Sequence, residues 1–314
     1  MSNNAPIIEV SGLSRQFGLF QAVKDLNFSV MEGDVYGFLG QNGAGKSTTI
    51  RMLLSLLRPS SGSIRIFGMD LRTHRRDILH KVGAVIESAD LYTYLSGYEN
   101  MEIFARLSGL KVDRSLLLRK LDEVGLSDRS NDPVRNYSQG MRQRLGIAVA
   151  MVHDPDLIIL DEPTNGLDPQ GIADIRRLIL SLSREHGKTV VVSSHLLSEI
   201  EQVATRLLIM DKGRKVVEGS LAEMLDPKQT VLQLDTTDNA GCLAHLQSKY
   251  PGYTMATNPA GSMSISISRT EIPDLATEIM QAGFGIRAMV PQNALETYFL
   301  SITKDHLHVD DHQH

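Results

Sequence analysis

Gly40-Gln41-Asn42-Gly43-Ala44-Gly45-Lys46-Ser47 fits the pattern G-x-x-x-x-G-K-S. An apolar run, Val35-Tyr36-Gly37-Phe38-Leu39, precedes it and reads as a buried strand. Helical spacing follows from Ser47 to about Leu57 and stops at Arg58-Pro59-Ser60-Ser61-Gly62. Strand, glycine loop and helix in this order form a phosphate cradle. The glycines let the backbone curl until its N–H groups converge on phosphate oxygens, and the helix N-terminus turns partial positive charge to the same anion. Gly40 to Ser47, with Thr48 after it, are therefore the expected triphosphate loop. Lys46 is expected to bridge the β- and γ-phosphates and Ser47 to hold Mg2+ through its hydroxyl.

Leu157-Ile158-Ile159-Leu160-Asp161-Glu162 supplies the companion feature, a wholly apolar strand that delivers two carboxylates at its C-terminal end. That edge is where ligands collect in open α/β sheets. Asp161 is the expected organiser of Mg2+, and Glu162 the expected base for an attacking water. Without the phosphate loop, the same two residues would read equally well as acidic caps on a turn at Pro163.

Length and composition set the frame around these motifs. The chain has 314 residues, of which 42% are hydrophobic and 22% charged. That length predicts about two domains and a sizeable core, which excludes a disordered chain or a disulfide-stapled miniprotein. A net charge of −5 disfavours binding nucleic acid through bulk positive charge. The single cysteine, Cys242, fits a reducing compartment. Met1 to Pro6 lacks the basic start and apolar core of a secretory signal, and no apolar run approaches the ~20 residues of a membrane span.

The alternation of strands and helices predicts an α/β fold with a mostly parallel, covered sheet. Strands are expected at 7–36, 63–67, 157–160, 189–193 and 206–210, and helices at 171–186 and 196–204. Residues 88–157 have the texture of an inserted helical subdomain. The first domain then covers 1–220, a linker 221–229, a small α+β domain 230–304, and a polar tail 305–314. A closing helix is expected over 294–302.

A third motif narrows the class. Asn136-Tyr137-Ser138-Gln139-Gly140-Met141-Arg142-Gln143-Arg144 resembles the L-S-G-G-Q signature of the ATP-binding subunits of ABC transporters, written here Tyr-Ser-Gln-Gly-Met. On the residues alone, Ser138 reads as a helix N-cap and Gly140 as a point of close backbone approach. Gly166-Leu167-Asp168 is similar to that family's D-loop, and Ser194-His195 to its switch histidine. Phe17, ahead of Gly18 and Ala22-Val23, is similar to the aromatic that stacks on adenine. The resemblance covers roughly residues 7–220. It implies a P-loop NTPase core, ATP and Mg2+ as cofactors, and an ATPase. It implies a homodimer closed head-to-tail, with Ser138, Gln139 and Gly140 reaching the ATP of the partner subunit. It also implies a separate integral membrane permease, and so a place on the cytoplasmic face of the cell membrane.

One position departs from the pattern. Val82-Gly83-Ala84-Val85-Ile86-Glu87 places Glu87 where the family usually has a glutamine that contacts Mg2+. The Ser88–Asn100 stretch, with Glu87, Gln139 and Met141, resembles the bacitracin-resistance and antibiotic-export branch, which favours export. The resemblance implies that Leu91 to Tyr98 docks a helix of the membrane subunit; on the residues alone the segment reads equally well as ordinary loop anchoring. The alternatives are an ABC ATPase acting on ribosomes or DNA, and a small-molecule kinase. One phosphate loop and no heptad run weigh against the first, the signature and His195 against the second. His306, His308, His312 and His314 read as a solvated tail rather than a metal site.

Overall fold

The structure is a computed structural model that describes residues 6–224, 230–257 and 261–293. The expected closing helix at 294–302 and the tail at 305–314 lie outside those residues, as do 225–229 of the expected linker. The chain divides into two compact units between Gly219 and Ser220.

The first unit is built on a six-stranded sheet whose strands are β3 (Val35–Leu39), β6 (Val82–Ile86), β7 (Leu157–Asp161), β8 (Thr189–Ser194), β9 (Arg206–Asp211) and β10 (Arg214–Ser220). Their order is β10-β9-β3-β8-β7-β6, and β9, β3, β8, β7 and β6 pair in parallel. β3 and β7 are buried along their whole lengths, as strands covered on both faces must be. β10 is an addition to the expected strands: a charged, half-exposed edge strand lacks clear alternation, and this one returns through a tight Lys212-Gly213 turn with both φ values positive.

A second sheet, not foreseen as separate, is antiparallel and ordered β2-β1-β4-β5, from β1 (Pro6–Phe17), β2 (Phe20–Met31), β4 (Ser61–Ile66) and β5 (Met69–Asp70). One core joins both sheets, with Ile8, Val10, Leu26 and Phe28 from the antiparallel sheet and Phe38, Ile159, Val191 and Leu208 from the parallel one. Tyr36 is buried there, and its hydroxyl donates to Glu218 Oε1 at 2.8 Å. Burial, reinforced by the Glu218 carboxylate, pushes that hydroxyl far above the ordinary tyrosine range.

Helix α1 (Lys46–Leu53) is shorter than expected, and the segments α2 (Arg75–Leu79) and α7 (Leu197–Ile200) are single turns. α7 ends early because Gln202 and Val203 N–H donate to residues three back, Glu199 and Ile200, which tightens the chain out of the α-helix. Helices α3 (Gly97–Leu107), α4 (Arg114–Glu123) and α5 (Gln139–Ala150) fall within the expected helical segment. Their starts are written in the sequence. Ser96 and Glu99 form a reciprocal capping box, and Asp113 caps α4. α6 (Pro169–Arg184) starts on Pro169.

Gly83 in β6 shows how tightly these layers meet. A Cβ there would lie 2.2 Å from Ala150 O, which is backbone and cannot swing aside. Gly83→Ala is expected to cost about 1–3 kcal/mol as overpacking. The denaturant midpoint should fall with an unchanged m-value.

The second unit begins with a helical turn, α8 (Leu221–Met224). It continues as β11 (Thr230–Thr236), α9 (Asn239–Lys249), β12 (Met255–Thr257), β13 (Met263–Ile267), α10 (Ile272–Gln281) and β14 (Ile286–Asn293). Its sheet is antiparallel, ordered β12-β13-β11-β14. Strict alternation in β11 turns Leu232 and Leu234 inward, against Cys242 and Leu246 of α9 and Leu275 and Ile279 of α10. Burial raises the Cys242 thiol above its ordinary range.

Candidate functional site

The loops after β3, β6, β7 and β8 leave the same edge of the parallel sheet, and register sets what meets there. Ile86 pairs with Asp161, so Glu87 and Glu162 leave neighbouring strand ends side by side. Both are in left-handed backbone, at φ 59° and 49°. For residues with a Cβ this conformation costs about 1–3 kcal/mol, so the surroundings must hold it.

A cavity of about 370 Å3 opens at this edge, lined by most of the loop between Gln41 and Thr48, by Phe20 and Ala22, and by Glu87, Glu162 and Asn165. Gly45 carries the turn into α1 at φ 104°, and a Cβ on it would lie 2.8 Å from Ala22 O. No acidic residue sits in the first turn of α1, so its free N–H groups are left for an anion.

Lys46 is 5% exposed, and its ammonium donates to Gly40 O at 2.6 Å and Gln41 O at 3.3 Å. It also stands 3.1 Å from Glu162 Oε1, an ion pair by distance although the angle makes no hydrogen bond. Glu162 Oε2 lies 2.9 Å from His195 Nδ1. Lys46, Glu162 and His195 are thus brought into one chain of contacts, a cation and an imidazole on opposite oxygens of one carboxylate. Ser193 supports it from below: its hydroxyl donates to Asp161 Oδ1 at 2.6 Å and accepts from Glu162 N–H at 2.8 Å. Asp161 is fully buried, and its Oδ2 has no protein partner.

Other expected site residues lie elsewhere. Phe17 is 44% exposed, lies outside the cavity lining and carries the Arg15 guanidinium 4.4 Å from its ring centre. Phe20, 65% exposed, supplies the lining aromatic instead. Ser138 caps α5, accepting from Met141 N–H at 3.2 Å, and neither it nor Gly140 lines the cavity. Gln139 donates from Nε2 to Asn165 O at 3.2 Å. Asp168 caps α6, accepting from Gly171 N–H at 3.0 Å.

Glu87 is bound by Arg51 of α1. Arg51 carries no signal in the sequence, because nothing in the order of residues says that a cation on α1 reaches the end of β6. Both side chains are substantially exposed, so the pair is worth about 0.2–1 kcal/mol. Arg51→Gln leaves the Glu87 anion unbalanced at the cavity wall and is expected to raise the Kd for ATP by up to about fivefold. Adding Glu87→Gln should restore it, as titration calorimetry on the double-mutant cycle will show.

A buried strand, a glycine loop ending Gly45-Lys46-Ser47, a helix, and an acidic pair at the end of β7, two strands away across β8, together define a P-loop nucleoside triphosphatase. Comparison with known proteins is more specific. The family profile described as ABC transporter matches residues 23–165. The bacitracin transport ATP-binding protein BcrA of Enterococcus faecalis is 38% identical over 294 residues, covering 93% of this chain and 95% of that protein. Among solved structures, cbiO1 of Clostridium perfringens, part of the ABC transporter complex cbiONQ, aligns with a TM-score of 0.65 at 25% identity, over 78% of this chain and 96% of that one. A dimeric ATP-binding cassette in a post-hydrolysis state with ADP and Pi aligns at 0.61 and 26%, over 68% of this chain and 98% of that one.

The chain belongs to the ABC transporter family, as an ATP-binding subunit. It binds nucleotide and is an ATPase, and nothing in the comparisons favours the ribosome- or DNA-acting alternative. No helix among the described residues is long and apolar enough to cross a membrane.

Proposed function

We propose that this chain is the ATPase subunit of an exporter, closing as a homodimer on MgATP at the cytoplasmic face of the membrane and driving a separate permease. The observation that carries the reading is the Lys46–Glu162–His195 arrangement at the mouth of the phosphate loop. Likeness to a bacitracin transport ATP-binding protein supports export.

In this reading Gly40, Gln41, Asn42, Gly43, Ala44, Gly45, Ser47 and Thr48 cradle the phosphates, and Lys46 exchanges its carbonyl partners for phosphate oxygens. Glu162 accepts the proton of the attacking water, while His195 holds the carboxylate by its other oxygen. The donor set fits a hard cation: the partnerless Asp161 Oδ2 and the Ser47 hydroxyl would hold Mg2+, with Glu87 at the wall. When bound, the ion neutralises charge on the β- and γ-phosphates. Phe17, with Phe20 beside the cavity, offers a face for adenine. Ser138, Gln139, Gly140 and Asp168 serve the partner subunit's nucleotide across the dimer. The segment 1–220 acts as the ATP-binding domain, with 88–157 as its helical subdomain, and 230–304 as an accessory domain.

The test is purification from detergent extract with and without ATP. A multi-spanning permease should co-purify, and added ATP should release phosphate. Recovery of the chain with no membrane protein, in every detergent tried, would sink the transport assignment.

A further inference from the structure

β7 and β8 end side by side, and each releases one half of the His195–Glu162 contact. Glu162 opens the turn after β7 in its left-handed conformation, and Asn165 N–H closes that turn on Glu162 O at 3.1 Å. Inside the turn, the Thr164 hydroxyl donates to Glu199 Oε2 at 2.7 Å. The hydroxyl of Ser194, which ends β8 just before His195, donates to the same oxygen at 2.7 Å. Leu196 N–H donates in turn to Ser194 Oγ at 3.0 Å. One carboxylate oxygen therefore takes a hydroxyl from each loop. Its carrier α7 is anchored by buried Leu197 and Ile200. Glu199 is not among the residues that line the phosphate cavity.

We infer that Glu199 is a positioning residue for ATP hydrolysis: by clamping Thr164 to Ser194 it fixes the spacing of the two loops, and with it the His195–Glu162 contact. The inference rests on the ATPase reading above. Ser193 fixes the backbone entering Glu162, but not the path leaving it. A strained residue needs both sides held. A displacement of about 1 Å at a reacting group can cost on the order of 100-fold in rate, so a clamp remote from the nucleotide can act on turnover without acting on affinity.

The test is steady-state hydrolysis of MgATP by the full chain. Glu199→Ala is expected to lower kcat about tenfold or more, with KM changed by less than about twofold. Glu199→Gln keeps an oxygen that accepts both hydroxyls, and is expected to stay within about threefold of the parent. Thr164→Val removes one donor; it should lower kcat alone and add nothing to Glu199→Ala. Parental kcat in Glu199→Ala, a glutamine variant as poor as the alanine one, or a rise in KM in place of the fall in kcat would each overturn the clamp. If Glu199→Ala does not fold, Thr164→Val decides, parental kcat overturning the idea. Glu162→Gln is run alongside. A parent that releases no phosphate, or an unimpaired Glu162→Gln, removes the ATPase reading itself; controls that behave while Glu199→Ala is parental remove the clamp alone.

Discussion

Glu162→Gln is expected to lower ATP turnover by about 10²- to 10⁴-fold, the usual share of a general base, while nucleotide still binds. The carboxylate stands between Lys46 and His195, each on its own oxygen, and the backbone before it is pinned by Ser193. An amide keeps the shape and loses the charge that takes a proton from water. It also ceases to compete with phosphate for the Lys46 ammonium, so ATP affinity should hold or rise. Incubation with MgATP should therefore accumulate a dimer that size-exclusion chromatography resolves from the monomer. Turnover at the parental rate would show that another group activates the water.

Lys46→Ala should act on the earlier step. The ammonium is almost wholly buried and already surrounded by three acceptors, Gly40 O, Gln41 O and Glu162 Oε1. A site built to hold one cation among acceptors is built to deliver it to phosphate oxygens. Hydrogen bonds involving a charged group are worth about 1.5–3 kcal/mol, so Kd for ATP should rise by about 10- to 150-fold. The same substitution strips the Lys46 cation from one oxygen of a largely buried Glu162 carboxylate and leaves it only His195. A lower melting temperature without nucleotide is therefore expected as well. An unchanged Kd by fluorescence titration would remove Lys46 from phosphate binding.

The two substitutions also mark what could be read from the sequence. Lys46, Ser47, Asp161 and Glu162 were legible because each motif is contiguous and its flanking strand has a period of its own. The buried runs Val35–Leu39 and Leu157–Asp161 admit one reading once the loop between strand and helix is recognised. Residues that hold the site from another element were not legible. Ser193 and Arg51 have no local signal, since their partners, Asp161 and Glu87, stand 32 and 36 positions away. Glu199 lies only five positions from Ser194 but 35 from Thr164, and nothing in the spacing announces that one oxygen serves both. The antiparallel sheet was legible as strands but not as a separate layer, because pairing across Leu13↔Leu26 and Val10↔Ile64 is a tertiary fact. Asp168 was singled out by resemblance, yet its first task here is an ordinary one, closing the N-terminus of α6 ahead of Pro169.

The hydrogen bond from Gln139 to Asn165 O has a mechanical consequence. Gln139 opens α5, and Asn165 closes the turn begun by Glu162. Swinging α5 outward must either tow that turn along or let go of it. The bond is on the surface, and a neutral one is worth about 1 kcal/mol, less than twice the thermal energy. A bond this weak would give way before the paired strand ends do, so separating α5 from the turn would cost one hydrogen bond and leave β7 and β8 joined.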